Sequence, residues 1–203
     1  MASEKDTYKT VTAPSEEILF KEKGSKFYGY AFPVTSEEEI GEALEVLRKQ
    51  HYGARHHCYA WQLGSRYEQY RVNDDGEPTN SAGAPIYGQI QAFDLTNVLV
   101  VVVRYFGGTK LGVGGLIQAY KTAAKMALDS SRKVKRTIDQ LFIVQCDYPE
   151  MNSVMRILKS EKLKIVDQKM ELKCSFKISV RERDAEIVFQ KLNNLHKVSI
   201  KRE

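Results

Sequence analysis

The segment spanning residues 97–120, NVLVVVVRYFGGTKLGVGGLIQAY, restricts the possible folds of this chain more than any other. An unbroken apolar run from Val98 to Val103 ends at Arg104-Tyr105-Phe106, and five glycines follow within nine residues. From Leu116 to Leu128 the pattern turns amphipathic. This order predicts a buried strand, a glycine-rich loop and a helix start. Such a junction turns backbone N–H groups outward at the positive end of a helix, where an anion can sit. Glycines at a crowded strand-to-helix turn also relieve packing and supply positive φ, so both readings stay open. A P-loop is excluded, because it needs Gly-x-x-x-x-Gly-Lys-Ser/Thr; here Lys110 falls inside the loop and Gly112 is followed by Val113. A dinucleotide fingerprint would need a small residue where Ile117 stands.

At 203 residues the chain has room for one large or two modest domains. No apolar run reaches the roughly 18 residues that span a bilayer, and MASEKDTYKT lacks a basic-then-apolar signal pattern. Cys58, Cys146 and Cys174 are widely spaced and form no Cys-x-x-Cys pair, which fits a reducing cytoplasm and no structural metal. The net charge of +5 is unevenly spread: residues 1–131 carry 14 Lys/Arg against 16 Asp/Glu, and residues 132–203 carry 17 against 10. The basic character therefore belongs to the C-terminal third, which suggests an acidic partner such as nucleic acid.

Strands are predicted over 27–34, 56–63, 67–72 and the apolar run 98–103. Helices are predicted from a Ser36-x-x-Glu39 cap, through Ile86 to Phe93, and over 116–130. The polar run 130–136 reads as a linker. Beyond it the order is β-α-β-β-α-β, the ferredoxin-like pattern. The expected domains are 1–131 and 132–203.

Three constellations carry chemistry. Asp74, Asp75 and Glu77 crowd one loop; they could ligate a hard cation, but they miss calcium-loop spacing, and Asp-Gly turn chemistry is favoured. His56 and Cys58 share one strand face, with His57 on the other, and no second pair completes a zinc site. Tyr67, Tyr70-Arg71 and Arg104-Tyr105-Phe106 interleave aromatic and basic groups, suited either to stacking bases on neutralised phosphates or to a core with snorkelling arginines.

Four linked motifs, His56-His57-Cys58-Tyr59-Ala60, Asp74-Asp75-Gly76-Glu77-Pro78, Ala82-Gly83-x-Pro85-Ile86 and the segment from Arg104 to Leu116, resemble the signature of the YigZ/IMPACT family, and the basic second half resembles the small C-terminal domain of its bacterial members. The resemblance implies an α+β chain. Its N-terminal domain would be an α/β sandwich like a ribosomal-protein domain also found in elongation factor G, and its C-terminal domain would be ferredoxin-like. Eukaryotic IMPACT regulates translation by competing for an activator of a stress kinase. No cofactor and no catalytic reaction come with the likeness. Ala84 and Gln118 stand where relatives frequently carry lysine and arginine.

The leading expectation is a cytoplasmic regulatory protein that acts in translation by binding RNA or a ribosome-associated partner; the expected partners are RNA or the ribosome, or a regulatory protein, with no membrane partner. Its binding residues would be His56, Cys58, Asp74, Asp75, Glu77, Arg104, Tyr105, Gly107, Gly108, Lys110, Gly112, Gly114 and Gly115. The alternatives are an enzyme acting on a phosphorylated or nucleotide substrate through the acidic and glycine loops, and a protein-interaction module without nucleic-acid contact.

Overall fold

The computed structural model describes residues 6–203. The chain separates into two compact units, residues 8–136 and residues 137–203, the latter joined by Asp6 and Thr7. No helix among the described residues is long and apolar enough to cross a membrane.

In chain order, the larger unit contains β1 (Thr7–Val11), β2 (Ile18–Glu22), β3 (Ser25–Pro33), α1 (Glu37–Gln50), β4 (His56–Leu63), β5 (Gln69–Asn73), α2 (Gly83–Ala92), β6 (Val98–Tyr105), α3 (Gly112–Ser130) and β7 (Lys133–Thr137). Five strands form an antiparallel sheet in the order β2-β3-β6-β4-β5. The apolar run is its central strand. Val98, Val100 and Val102 pack with Ile86, Ile90, Tyr120 and Leu128 of α2 and α3, while Leu99, Val101 and Val103 pack with Ile40, Leu44 and Leu47 of α1. Helices on both faces explain why β6 shows no polar alternation although both its neighbours are antiparallel.

The Ser36 cap is present, with its side chain accepting from Glu39 N at 3.3 Å. The Glu39 carboxylate reaches back to Thr35 N at 2.6 Å, one residue earlier than in a standard capping box.

Three expectations need correcting. Helix α3 starts at Gly112, four residues before the predicted start, so Gly112, Gly114 and Gly115 lie in its first turn and only Gly107 and Gly108 remain in the loop. The stretch read as a linker contains β7, which pairs with β1 in a two-stranded sheet. Strand β2 was not foreseen; it joins β3 through Lys23 and Gly24 at φ 44° and 80°, the two positive values of a type I′ hairpin turn.

The smaller unit runs β8 (Asp139–Cys146), a 3₁₀ turn (Tyr148–Glu150), α4 (Met151–Ser160), β9 (Lys164–Met170), β10 (Cys174–Arg181), α5 (Glu182–Asn193) and β11 (Val198–Arg202). The β-α-β-β-α-β order is as read from sequence. Its sheet is antiparallel in the order β11-β8-β10-β9. Phe142, Val144, Phe176, Ile178 and Val180 form the core with Val154, Leu158, Val188 and Leu192 of the two helices.

Candidate functional site

Residues directly opposite in an antiparallel sheet share a face. The register Phe27↔Arg104↔His56 therefore sets these three side chains in one row at the end of β6, on the α3 side. Arg104 is only 6% exposed. Its Nη1 donates to Glu77 Oε1 at 2.6 Å, and the Glu77 side chain is buried as deeply. Tyr120 Oη donates to the same carboxylate oxygen at 2.7 Å. The guanidinium lies 5.5 Å from the Phe27 ring centre and 5.6 Å from that of Phe106, within cation–π range on both. Glu77 thus fastens the acidic loop to β6 and α3 simultaneously.

The other acidic-loop residues are committed too. Asp74 accepts from the backbone N–H groups of Asn80, Ala82 and Gly83 at 2.8–3.0 Å, capping the start of α2. Asp75 accepts from His57 N at 2.6 Å. These bonds reach amides 6 to 18 residues away, so the carboxylates tie distant segments together instead of making only the local Asp-Gly turn bonds favoured from the sequence. Cys58 Sγ lies 3.0 Å from the Asp74 carbonyl and 3.3 Å from Tyr120 Oη, and burial pushes the thiol pKa well above its ordinary value. It is a packed thiol rather than a thiolate nucleophile. His57 is also held below its usual pKa, chiefly by burial, with Asp75 opposing.

The glycines divide by role. A Cβ on Gly107 would sit 1.9 Å from the Gly24 carbonyl carbon, so this glycine permits two backbones to touch, and Gly107 N donates to Ser25 Oγ at 3.2 Å. Gly108 and Gly112 take positive φ, 87° and 70°. Gly114 faces open space and Gly115 lies against Leu111. Lys110 is exposed.

Two adjoining depressions use this row. A cavity of about 360 Å³ is lined by Gly53, Arg55, His56, Arg104, Tyr105 and Phe106. A second, of about 310 Å³, includes Glu77, Arg104, Phe106, Lys110, Leu111 and Val113. The structure thus brings Arg104, His56, Tyr105 and Lys110 to surface depressions, with Glu77 both bordering the second and pairing with Arg104, while Cys58, Asp74 and Asp75 serve the fold around them.

Sequence reasoning missed a second cluster on the opposite sheet face. Tyr105 Oη lies 3.1 Å from His51 Nδ1, and His51 Nε2 meets Tyr30 Oη, which donates to the Glu17 carboxylate. Because the single Tyr30 proton goes to Glu17, His51 Nε2 carries the proton given to Tyr30, and its Nδ1 accepts from Tyr105. Burial holds His51 below its usual pKa, with Glu17 opposing, consistent with this neutral form. Only Tyr105 of this set stood out in sequence; Glu17, Tyr30 and His51 are scattered over 35 residues with no spacing signal. Arg55 and Tyr120 were missed as well, although Arg55 adjoins the histidine pair.

A family model described as the Impact N-terminal domain matches residues 23–128. The chain is 31% identical to IMPACT family member YvyE of Bacillus subtilis, covering 88% of this chain and 82% of that protein. It is 33% identical to IMPACT family member YigZ of Escherichia coli, covering 73% and 74%. A solved structure described only as a hypothetical protein superposes with a TM-score of 0.75 at 26% identity, covering 96% of each chain.

Proposed function

Given that the chain belongs to the Impact family, we propose that it is a cytoplasmic regulatory protein that acts in translation by binding RNA or a ribosome-associated partner. In this reading the larger unit is the domain type shared with elongation factor G, and the smaller unit, with sheet order β11-β8-β10-β9, is ferredoxin-like. The domain boundary lies in the 130s, and the binding residues centre on Arg104, His56, Tyr105 and Lys110.

One observation carries the choice of a binding protein over an enzyme. Every carboxylate of the acidic loop is engaged with a backbone amide or Arg104, and Cys58 is a buried thiol. These carboxylates and this thiol, on which the enzymatic alternative chiefly relies, are occupied in holding the loop. What faces outward is basic and aromatic: Lys110, and Phe106 at 56% exposure. The +7 balance of residues 132–203 supports the same partner class.

Co-sedimentation with ribosomes and filter binding to RNA across a salt series test this. The expected result is an affinity that falls log-linearly with salt, and no co-sedimentation together with no RNA retention refutes it. A protein partner is the second reading, favoured by Val113 at 54% and Ile117 at 38% exposure on α3. Recovery of a partner after nuclease treatment would select it.

A further inference from the structure

The cavity at the end of β6 has an unusual lining for its size: two arginines, a histidine, a tyrosine and a phenylalanine, with no carboxylate. Glu77 already balances Arg104, so Arg55 is the uncompensated positive charge of this wall, and the lining suits an anion that carries a flat ring. At about 360 Å³ it lies near the small end of ligand cavities, roughly 300–1,000 Å³. That is room for one nucleotide and too little for a duplex.

The groups are positioned for it. Phe106 is more than half exposed while Arg104 sits 5.6 Å from its ring centre, so the ring is braced from inside and still presents a stacking surface. Arg55 is exposed and enters none of the ion pairs found among the described residues. His56 Nδ1 lies 2.9 Å from the Asp75 carbonyl. A carbonyl only accepts, so Nδ1 carries the proton and Nε2 is the free ring nitrogen, an acceptor when the ring is neutral. An acceptor beside the unpaired Arg55 fits a ribose 2′-hydroxyl, the group that separates RNA from DNA. The neighbouring depression shares Arg104 and Phe106 and extends to Lys110. A free nucleotide would fill only the first hollow, whereas a strand would continue into the second.

We propose that this cavity receives one unstacked nucleotide of single-stranded RNA. The base stacks on Phe106, the phosphate lies against Arg55 and the next phosphate runs toward Lys110. This deepens the RNA-binding reading above and rests on it.

The test is fluorescence anisotropy with the full chain and a labelled single-stranded RNA decamer, competed by the matching DNA strand and by the RNA duplex. Phe106→Ala should weaken binding about 5- to 150-fold, the range produced by loss of one base–aromatic stack. Arg55→Ala should weaken it and lower the salt slope by about one. Gly53→Glu introduces a carboxylate into the cavity at low structural risk, since a Cβ there meets only Tyr105 Cε1 at 3.9 Å, and it should abolish the cavity's contribution. Circular dichroism confirms that each variant is folded. Single-stranded RNA should outcompete both DNA and duplex. If wild-type protein binds the decamer and all three variants bind equally well, the cavity assignment is overturned while RNA binding stands. If DNA or duplex competes as well as the RNA strand, the ribonucleotide assignment falls. If wild-type protein binds no RNA, both readings fall.

Discussion

Replacing Glu77 by glutamine tests what the acidic motif is for. The substitution keeps shape and an acceptor oxygen but removes the charge opposite Arg104, whose side chain is 7% exposed. Solvent therefore cannot compensate the guanidinium, and Arg104 Nε is already buried with no partner. Stripping one partner from a buried ion pair costs about 3–5 kcal/mol. Trp61, the single tryptophan, lies buried in β4, so its fluorescence reports on the larger unit without assuming that the whole chain unfolds in one step. With a urea slope of about 2 kcal/mol/M, the midpoint should fall by roughly 1.5–2.5 M. The double variant E77L/R104M removes both charges and should recover part of that loss, because no buried charge is left unpaired although the Tyr120 hydroxyl loses its acceptor. A drop below roughly 0.5 M would place the pair in the range of exposed ion pairs. It would refute the argument that Glu77 fastens loop, strand and helix together.

Other outcomes follow from single contacts. Gly107→Ala forces a Cβ into the Gly24 backbone and should cost at least about 1–3 kcal/mol, whereas Gly114→Ala, in open space on α3, should stabilise by about 0.5–1 kcal/mol; paired urea curves decide. Asp74→Ala uncaps α2 and strands its amides, with an expected loss of about 1–3 kcal/mol by the same measurement. His51 and His57 are both held below their usual pKa by burial. The unfolded chain therefore binds more protons than the folded one once pH falls below about 6.5. Stability at the Trp61 probe should be full above that pH and decline as it drops toward the folded values, and His57→Gln should flatten part of the decline.

The central strand, the Ser36 cap and the β-α-β-β-α-β order were readable because each writes a local pattern: an apolar run, a polar residue before a periodic stretch, alternation at period two. The start of α3 was not, since glycine is a poor helix former and only the packing of Leu116, Ala119 and Tyr120 onto the sheet carries the helix back to Gly112. Strands β1 (TYKTV) and β7 (KVKRT) carry too few apolar residues to show an alternation. At the site, residue types were legible but their roles were not. Asp74 and Arg104 look equally reactive in sequence, and only the register and the loop path reveal that Asp74 caps a helix while Arg104 borders two cavities. His51 reaches Tyr105, and Tyr30 reaches His51, from separate elements, a juxtaposition no linear spacing encodes.

The pairing of β1 with β7 has a consequence for how such a module travels between proteins. The entry and exit of the larger unit lie side by side, on adjacent strands. A module of this kind can be moved into a host loop, given new terminal partners, or opened elsewhere and rejoined at its old ends without disturbing the five-stranded sheet. A circular permutant broken at the exposed Tyr52-Gly53 turn, with residues 8 and 136 joined by a short glycine-serine bridge, should retain the Trp61 emission of the parent.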